Sequence, residues 1–170
     1  LNGFSEGITE DEPVGGVIDQ SFVTAFAATA PMIRIENGGE LNLSNGTLLT
    51  CNDNTSTEGG AAKVDAGGTL SMFNSTITGN STANTGGAVY MAGDMNISGK
   101  VNLTGNTKGD KQNNVFLSEY VKVITMTDEV DPESRIGVTK DDWKLNNVTK
   151  WYNPVVFSED ASRLDVFYAD

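Results

Sequence analysis

The stretch AAKVDAGGTLSM, residues 61–72, indicates the fold, because its pattern of residues recurs several times along the chain. It aligns without a gap with MIRIENGGELNL, residues 32–43, at an offset of 29 residues. Apolar residues coincide at four positions, and in both copies a Gly-Gly pair separates two short alternations of apolar and polar residues. Repeats of this length are typical of architectures that stack one unit on the next.

Further copies follow along the chain. AVYMAGDMNI, residues 88–97, matches at an offset of 27 in its first alternation and 25 in its second, and NVFLSEYVKVITMT, residues 114–127, is a weaker fourth copy. A third alternation ends each unit, in LLTCN (48–52), TITGN (76–80) and NLTGN (102–106). RIGVTK, residues 135–140, is a candidate fourth member, with Ile136 and Val138 pointing inward.

Each unit therefore predicts three short strands with a period of two residues, separated by turns rich in Gly and Asn. One such unit cannot bury its apolar face alone, whereas a stack of units can. We expect an all-β fold, a right-handed single-stranded parallel β-helix of about four coils with three short strands per coil and a cap at each end.

The alignment also predicts which side chains form vertical columns inside the helix. Asn52, Asn80 and Asn106 end the third alternations, and we expect their amides to stack as a ladder that satisfies backbone groups at a bend. Cys51 occupies the position of Gly79 and Gly105, and we expect a buried, inert thiol there. The five apolar columns are Ile33–Ala62–Val89–Val115, Ile35–Val64–Met91–Leu117, Leu41–Leu70–Met95–Ile124, Leu43–Met72–Ile97–Met126 and Leu49–Ile77–Leu103.

The chain of 170 residues suits a single domain with a core of its own. We assign residues 1–30 to an N-terminal cap and first strand, 31–140 to the coils, and 141–170 to a C-terminal cap that holds both tryptophans, Trp143 and Trp151. The sequence begins with Leu1 rather than Met, so we expect a monomeric part of a longer protein.

Composition excludes several classes of function. With 11 basic and 23 acidic residues the net charge is −12, which argues against nucleic acid and against anionic membrane surfaces. The chain has no histidine and one cysteine, which weakens triad chemistry and zinc binding, and we predict no cofactor and no metal. No apolar run is long enough to span a membrane, so we expect no membrane insertion.

The stretch GNSTANTGGAVYMAGDMNISGKVNLTGNTKGDKQNNVFL (79–117), together with SRIGVT (134–139), resembles the β-helical repeat regions of large surface proteins from Gram-positive gut Firmicutes. A looser likeness is to the polymorphic outer-membrane autotransporters, whose passenger regions repeat GGAI and GN motifs. The resemblance covers about residues 15–140. It implies an extracellular location at a bacterial cell surface and an adhesive or scaffold role, and it carries no catalytic motif.

Outward-facing rows are where binding residues would lie. The first strands predict one row of Arg34, Lys63, Tyr90 and Phe116 and a second that begins with Glu36 and Asp65. Aromatic rings stack on sugars and anchor protein interfaces, so this face could bind a host glycan or a surface protein. The alternative is that Tyr90 and Phe116 are covered and that the four charged side chains pair across coils.

We therefore expect a non-enzymatic module, either an adhesin or a structural spacer. The runner-up is a carbohydrate-active β-helix enzyme of the polysaccharide lyase or hydrolase kind, or its carbohydrate-binding part. Such an enzyme needs two or three carboxylates close together, and on this face only Glu36 and Asp65 are neighbours. The acidic stretches at 9–13, 128–133 and 140–143 match neither an EF-hand loop nor the nonapeptide calcium repeat, and we interpret them as solvated loops.

Overall fold

The computed structural model describes residues 26–118, 123–140, 156–157 and 161–170. These residues form a β-solenoid of about four turns whose strands stack in parallel, as the repeat predicts. The single helical segment in the described ranges is a short 3₁₀ stretch, Ala161–Val166. No helix in this part of the chain is both long enough and apolar enough to cross a membrane.

Each of the first three coils runs around four faces. The first face carries β2 (Ile33–Ile35), β6 (Ala62–Val64) and β9 (Val89–Met91). The second and third faces carry β3 (Glu40–Leu43) and β4 (Leu48–Leu49) in the first coil. In the next two coils one long strand bends across both faces, β7 (Thr69–Thr78) and then β10 (Asp94–Thr104).

The fourth face is a separate five-stranded sheet of very short strands. It holds β1 (Phe26–Ala28), β5 (Asn52–Asn54), β8 (Ser81–Thr82) and β11 (Thr107–Lys108) in parallel, and it ends with β12 (Lys111–Gln112) in a hairpin with β11. The three alternations predicted for each coil are all in strands, although the second and third form one continuous strand in β7 and in β10, and this face adds a further strand to each coil. Its strands are two or three residues long and largely polar, so they show no apolar alternation.

The last coil differs from the others. β13 (Val115–Leu117) lies on the first face and β14 (Ile124–Val130) on the second. β15 (Arg135–Lys140) begins on the third face, where Ile136 pairs with Leu103, and ends on the first, where Val138 pairs with Val115. Both predicted inward residues are buried, but Val138 belongs to the next turn of the helix rather than to the third alternation.

Strand register follows the predicted columns throughout. Ile33, Ala62, Val89 and Val115 are successive partners, and the other four columns match in the same way. Most of their side chains are buried, while Ile33, Leu41 and Leu49 of the first coil and Met126 of the last are half-buried. The core is thus a stack of aliphatic layers, and the middle layers are buried most completely because a coil lies on either side of them.

The predicted caps are described only in part. Residues 1–25 and 141–155, with Trp143 and Trp151, lie outside the described residues. Near the C-terminus β16 (Val156–Phe157) extends the second face beside β14, and β17 (Phe167–Ala169) pairs with β15. Both strands pair in parallel with strands of the stack.

Candidate functional site

The predicted binding row lies on the outside of the first face. Strands β2, β6, β9 and β13 pair in parallel, so Arg34, Lys63, Tyr90 and Phe116 follow one another in register. Neighbouring strands in a sheet are about 4.8 Å apart, which brings consecutive side chains into contact. Thr139 of β15 takes the next position after Phe116.

The charged end of this row is a network of ion pairs. Arg34 Nε donates to Asp65 Oδ2 at 2.7 Å, and its guanidinium lies 3.7 Å from Glu36 Oε1. Lys63 Nζ donates to Glu58 Oε2 at 3.2 Å and lies 4.0 Å from Asp65. Arg34 therefore connects the two predicted carboxylates, Glu36 and Asp65, and Lys63 joins this group through Asp65.

Electrostatics in the network follow from these contacts. The hydrogen bond and charge of Asp65 raise the pKa of Arg34. A hydrogen bond from its own backbone N–H, followed by the bond from Lys63, lowers the pKa of Glu58. Glu58 lies in the turn before β6, a position that no repeat pattern marks, so sequence reasoning missed it.

The aromatic end of the row is a stack. The Tyr90 and Phe116 rings lie 5.7 Å apart between centroids at an interplanar angle of 14°, and Lys63 Nζ lies 5.4 Å from the Tyr90 centroid. Phe116 is 4% exposed and Tyr90 is half-buried. A ligand on this face can therefore reach Lys63 and part of Tyr90, but not the Phe116 ring.

Inside the corner between the third and fourth faces the predicted asparagines stack. Asn52 N–H donates to Asn80 Oδ1 at 3.1 Å, and the N–H and Nδ2 of Asn80 both donate to Asn106 Oδ1 at 3.0 Å. Asn106 Nδ2 also donates to the carbonyl oxygens of Ile77 and Thr104. Each amide thus joins two coils and also satisfies backbone carbonyls at the bend.

The ladder continues beyond the three predicted rungs. Asn106 donates through its N–H and its Nδ2 to Asn114 Oδ1, at 3.0 and 2.9 Å. Asn114 donates in the same two ways to the Asp170 carboxylate, at 2.6 Å each. Asn114 comes only eight residues after Asn106, and Asp170 lies outside every repeat, so neither shared the spacing that identified the others.

Cys51 departs from its prediction. Its side chain is half-buried rather than buried, and Sγ lies 3.5 Å from Thr50 Oγ1. Its φ angle is 66°, close to the 67° of both Gly79 and Gly105 at the same corner. The corner needs a left-handed backbone, and cysteine adopts it here although L-residues disfavour it.

A groove of about 300 Å³ lies along the fourth face, where sequence reasoning placed no site. Asp53 and Asp110 line it together with Ser81 and Thr55, and Ser81 Oγ donates to Asp53 Oδ1 at 2.6 Å. Among the described residues no three His, Cys, Asp or Glu side chains come close enough to share a metal ion. In the acidic stretch 128–133, Asp128 near the end of β14 accepts a hydrogen bond from Glu129 N–H, and Asp131 in the turn that follows accepts one from Glu133 N–H.

Comparison with known proteins found no match to this chain among protein-family models, curated proteins or solved structures.

Proposed function

We propose that the chain is a non-enzymatic module of a bacterial cell-surface protein, and that it serves as a structural spacer with an adhesive role as the second candidate. The observation that carries this proposal is the state of the outward face. Its charged groups pair with one another, with Arg34 reaching Asp65 of the next coil, and its aromatic rings stack on one another and under Lys63. The groups that could recognise a ligand are therefore already engaged in contacts within the protein, and these contacts join neighbouring coils.

The adhesive candidate rests on what remains accessible. The side chains of Arg34 and Glu36 are 58% and 74% exposed, and Lys63 lies over a half-buried tyrosine. Glycans and protein surfaces are commonly bound by an aromatic ring beside hydrogen-bonding groups. A ligand would compete with weak surface ion pairs, each worth about 0–1 kcal/mol.

The carbohydrate-active alternative has less support. Three carboxylates lie close together on this face, and each is held by a cation. Lys63 contacts Glu58 and Asp65, and Arg34 contacts the neighbouring pair Asp65 and Glu36. A glycosidase pair needs one carboxyl group protonated and the other ionised or nucleophilic, which an arginine bridging the two opposes. The cell-surface location comes from the sequence resemblance, and it remains part of the proposal.

The purified chain should be tested on a glycan array, on immobilised host surface proteins and with soluble polysaccharides. We expect no saturable binding and no depolymerisation from a spacer. Pulled between its ends, it should resist extension until coils unfold one after another. Variants Lys63→Ala and Tyr90→Ala probe the first face, and Asn102→Ala, outward on the third face, is the matched control.

Binding that disappears in Tyr90→Ala but persists in Asn102→Ala would replace the spacer by an adhesin that uses the first face. Binding that survives every variant would move the adhesive site to another face. Release of shortened polysaccharide would overturn both and favour the enzyme.

A further inference from the structure

Two Asn-Gly dipeptides lie in turns of the first coil. Asn37–Gly38 lies between β2 and β3, and Asn45–Gly46 lies between β3 and β4. Asn-Gly is the dipeptide in which asparagine deamidates most readily, because glycine has no side chain to hinder its own backbone nitrogen. All four residues are exposed to solvent.

Deamidation begins with attack of the glycine backbone nitrogen on the side-chain Cγ of the asparagine. A C–N bond closes a five-membered succinimide, and the side-chain amide leaves as ammonia with the proton that the backbone nitrogen gives up. Water then adds to one of the two ring carbonyls and opens the ring. The products are aspartate and isoaspartate, whose backbone is one carbon longer.

In the folded chain both attacking nitrogens are engaged by the second coil. Gly38 N–H donates to the Gly67 carbonyl oxygen at 2.9 Å, and Gly46 N–H donates to the Asn74 carbonyl oxygen at 2.7 Å. The Asn37 side-chain oxygen also rests against Gly67, where any side chain would collide with it. Attack requires the nitrogen to lose its proton and turn toward its own side chain, so these bonds must break first.

We propose that Asn37 and Asn45 are latent deamidation sites, held closed by the stacking of the first coil on the second. Solvent reaches both turns, so the barrier is the inter-coil hydrogen bond rather than burial. Reaction then requires local opening of the first coil, whose inward residues Ile33, Leu41 and Leu49 are half-buried.

The modification would also prevent the coil from closing again. β3 and β4 pair with one continuous strand, β7, through Leu43 with Met72 and Leu48 with Thr76. An isoaspartate at position 45 lengthens the turn between them by one atom, so both registers cannot be kept. Either product also adds a negative charge to a chain whose net charge is already −12.

The test is peptide mapping by mass spectrometry after incubation of the intact chain in mildly alkaline buffer, beside a synthetic peptide of residues 35–48. We expect deamidation at both asparagines to be about tenfold or more slower in the folded chain, in line with a local opening equilibrium. Leu43→Ala removes a buried side chain between the two turns, and Leu117→Ala removes one in the last coil.

Leu43→Ala should accelerate reaction at both turns, and Leu117→Ala should do so much less while circular dichroism shows each variant folded. Equal rates in the intact chain and the peptide would overturn the proposal, and this comparison stands even where a variant fails to fold. Equal acceleration by the two folded variants would overturn it as well.

Discussion

At the scale of single residues, the corner after each third-face strand shows backbone geometry deciding residue choice. Three consecutive coils hold Cys51, Gly79 and Gly105 there with nearly the same positive φ. Alignment of the repeats identified the shared position. It predicted a buried thiol because the side chains at this position were expected to point into the helix. The half-buried side chain beside Thr50 instead follows from the corner's backbone, which no apolar alternation records.

Cys51→Gly should stabilise the chain. A left-handed conformation costs an L-residue about 1–2 kcal/mol, whereas glycine loses about 0.5–1 kcal/mol more backbone entropy on folding. The expected net gain in the free energy of unfolding is about 0.5–1 kcal/mol, measured by urea denaturation. Cys51→Ala removes the thiol but keeps the Cβ, so an equal gain from it would refute the backbone explanation.

Glu58 should contribute to stability in a pH-dependent way. Its pKa is lower in the folded chain than the ordinary value of 4.5, so its contribution is present above that value and is lost as pH falls through the folded pKa. Wild type should melt slightly above Glu58→Gln near neutral pH, and the two should converge in acid. A melting-temperature difference that stays constant with pH would contradict this assignment.

At the scale of elements, two features hold neighbouring coils together: the apolar columns on the paired strands and the asparagine ladder. Apolar columns were predictable because alternation and Gly-Gly pairs repeat at fixed offsets, as at Leu41 and Leu70. Short polar strands such as Ser81–Thr82 were not, since two residues carry no period. The burial of Phe116 was left open by the sequence for a related reason, because exposure depends on what packs outside the coil.

Removal of one rung of the asparagine ladder should lower the free energy of unfolding substantially. Asn106 is fully buried and bonds to Asn80, Asn114 and two backbone carbonyls, so Asn106→Ala leaves several buried groups without partners. We expect a loss of about 2–4 kcal/mol in the free energy of unfolding. Asn42→Ala, at an exposed position of β3, is the control and should change stability by less than about 0.5 kcal/mol.

The contribution of a core leucine to the free energy of unfolding should depend on its position in the stack. Leu70 is fully buried, and its direct partner Leu41 in the first coil is half-buried. Leu70→Ala should lower the free energy of unfolding by about 2–5 kcal/mol, and Leu41→Ala by less than half as much. Equal losses in urea denaturation would mean that the first coil is sealed as completely as the second.

At the scale of the whole molecule, the balance of charge works against the compact state. The ion pairs on the first face engage only a few of the 23 acidic residues. The 11 basic residues of the chain neutralise fewer than half of the negative charges. Self-repulsion of this kind weakens a folded protein, and salt screens it over a Debye length of about 10 Å at 0.1 M.

Salt should therefore raise the melting temperature, because screening a net charge of −12 outweighs the weakening of exposed ion pairs. Calorimetry between about 0.01 M and 0.2 M sodium chloride measures the effect. The double variant Glu36→Gln, Glu40→Gln removes two exposed negative charges and should show a smaller rise. A melting temperature that falls with salt would indicate that the ion pairs dominate instead.

The asparagine ladder has a direction, and the direction restricts how such an array can lengthen over evolutionary time. Asn80, Asn106 and Asn114 each accept from the rung before and donate to the rung after, until Asp170, whose carboxylate can only accept. Tandem duplication of a unit between Asn52 and Asn106 inserts another rung of the same polarity and leaves the ladder unbroken. A coil stacked beyond Asp170 with a rung that also accepts would set one acceptor against another, so a new coil keeps the ladder intact where it enters among the asparagine rungs.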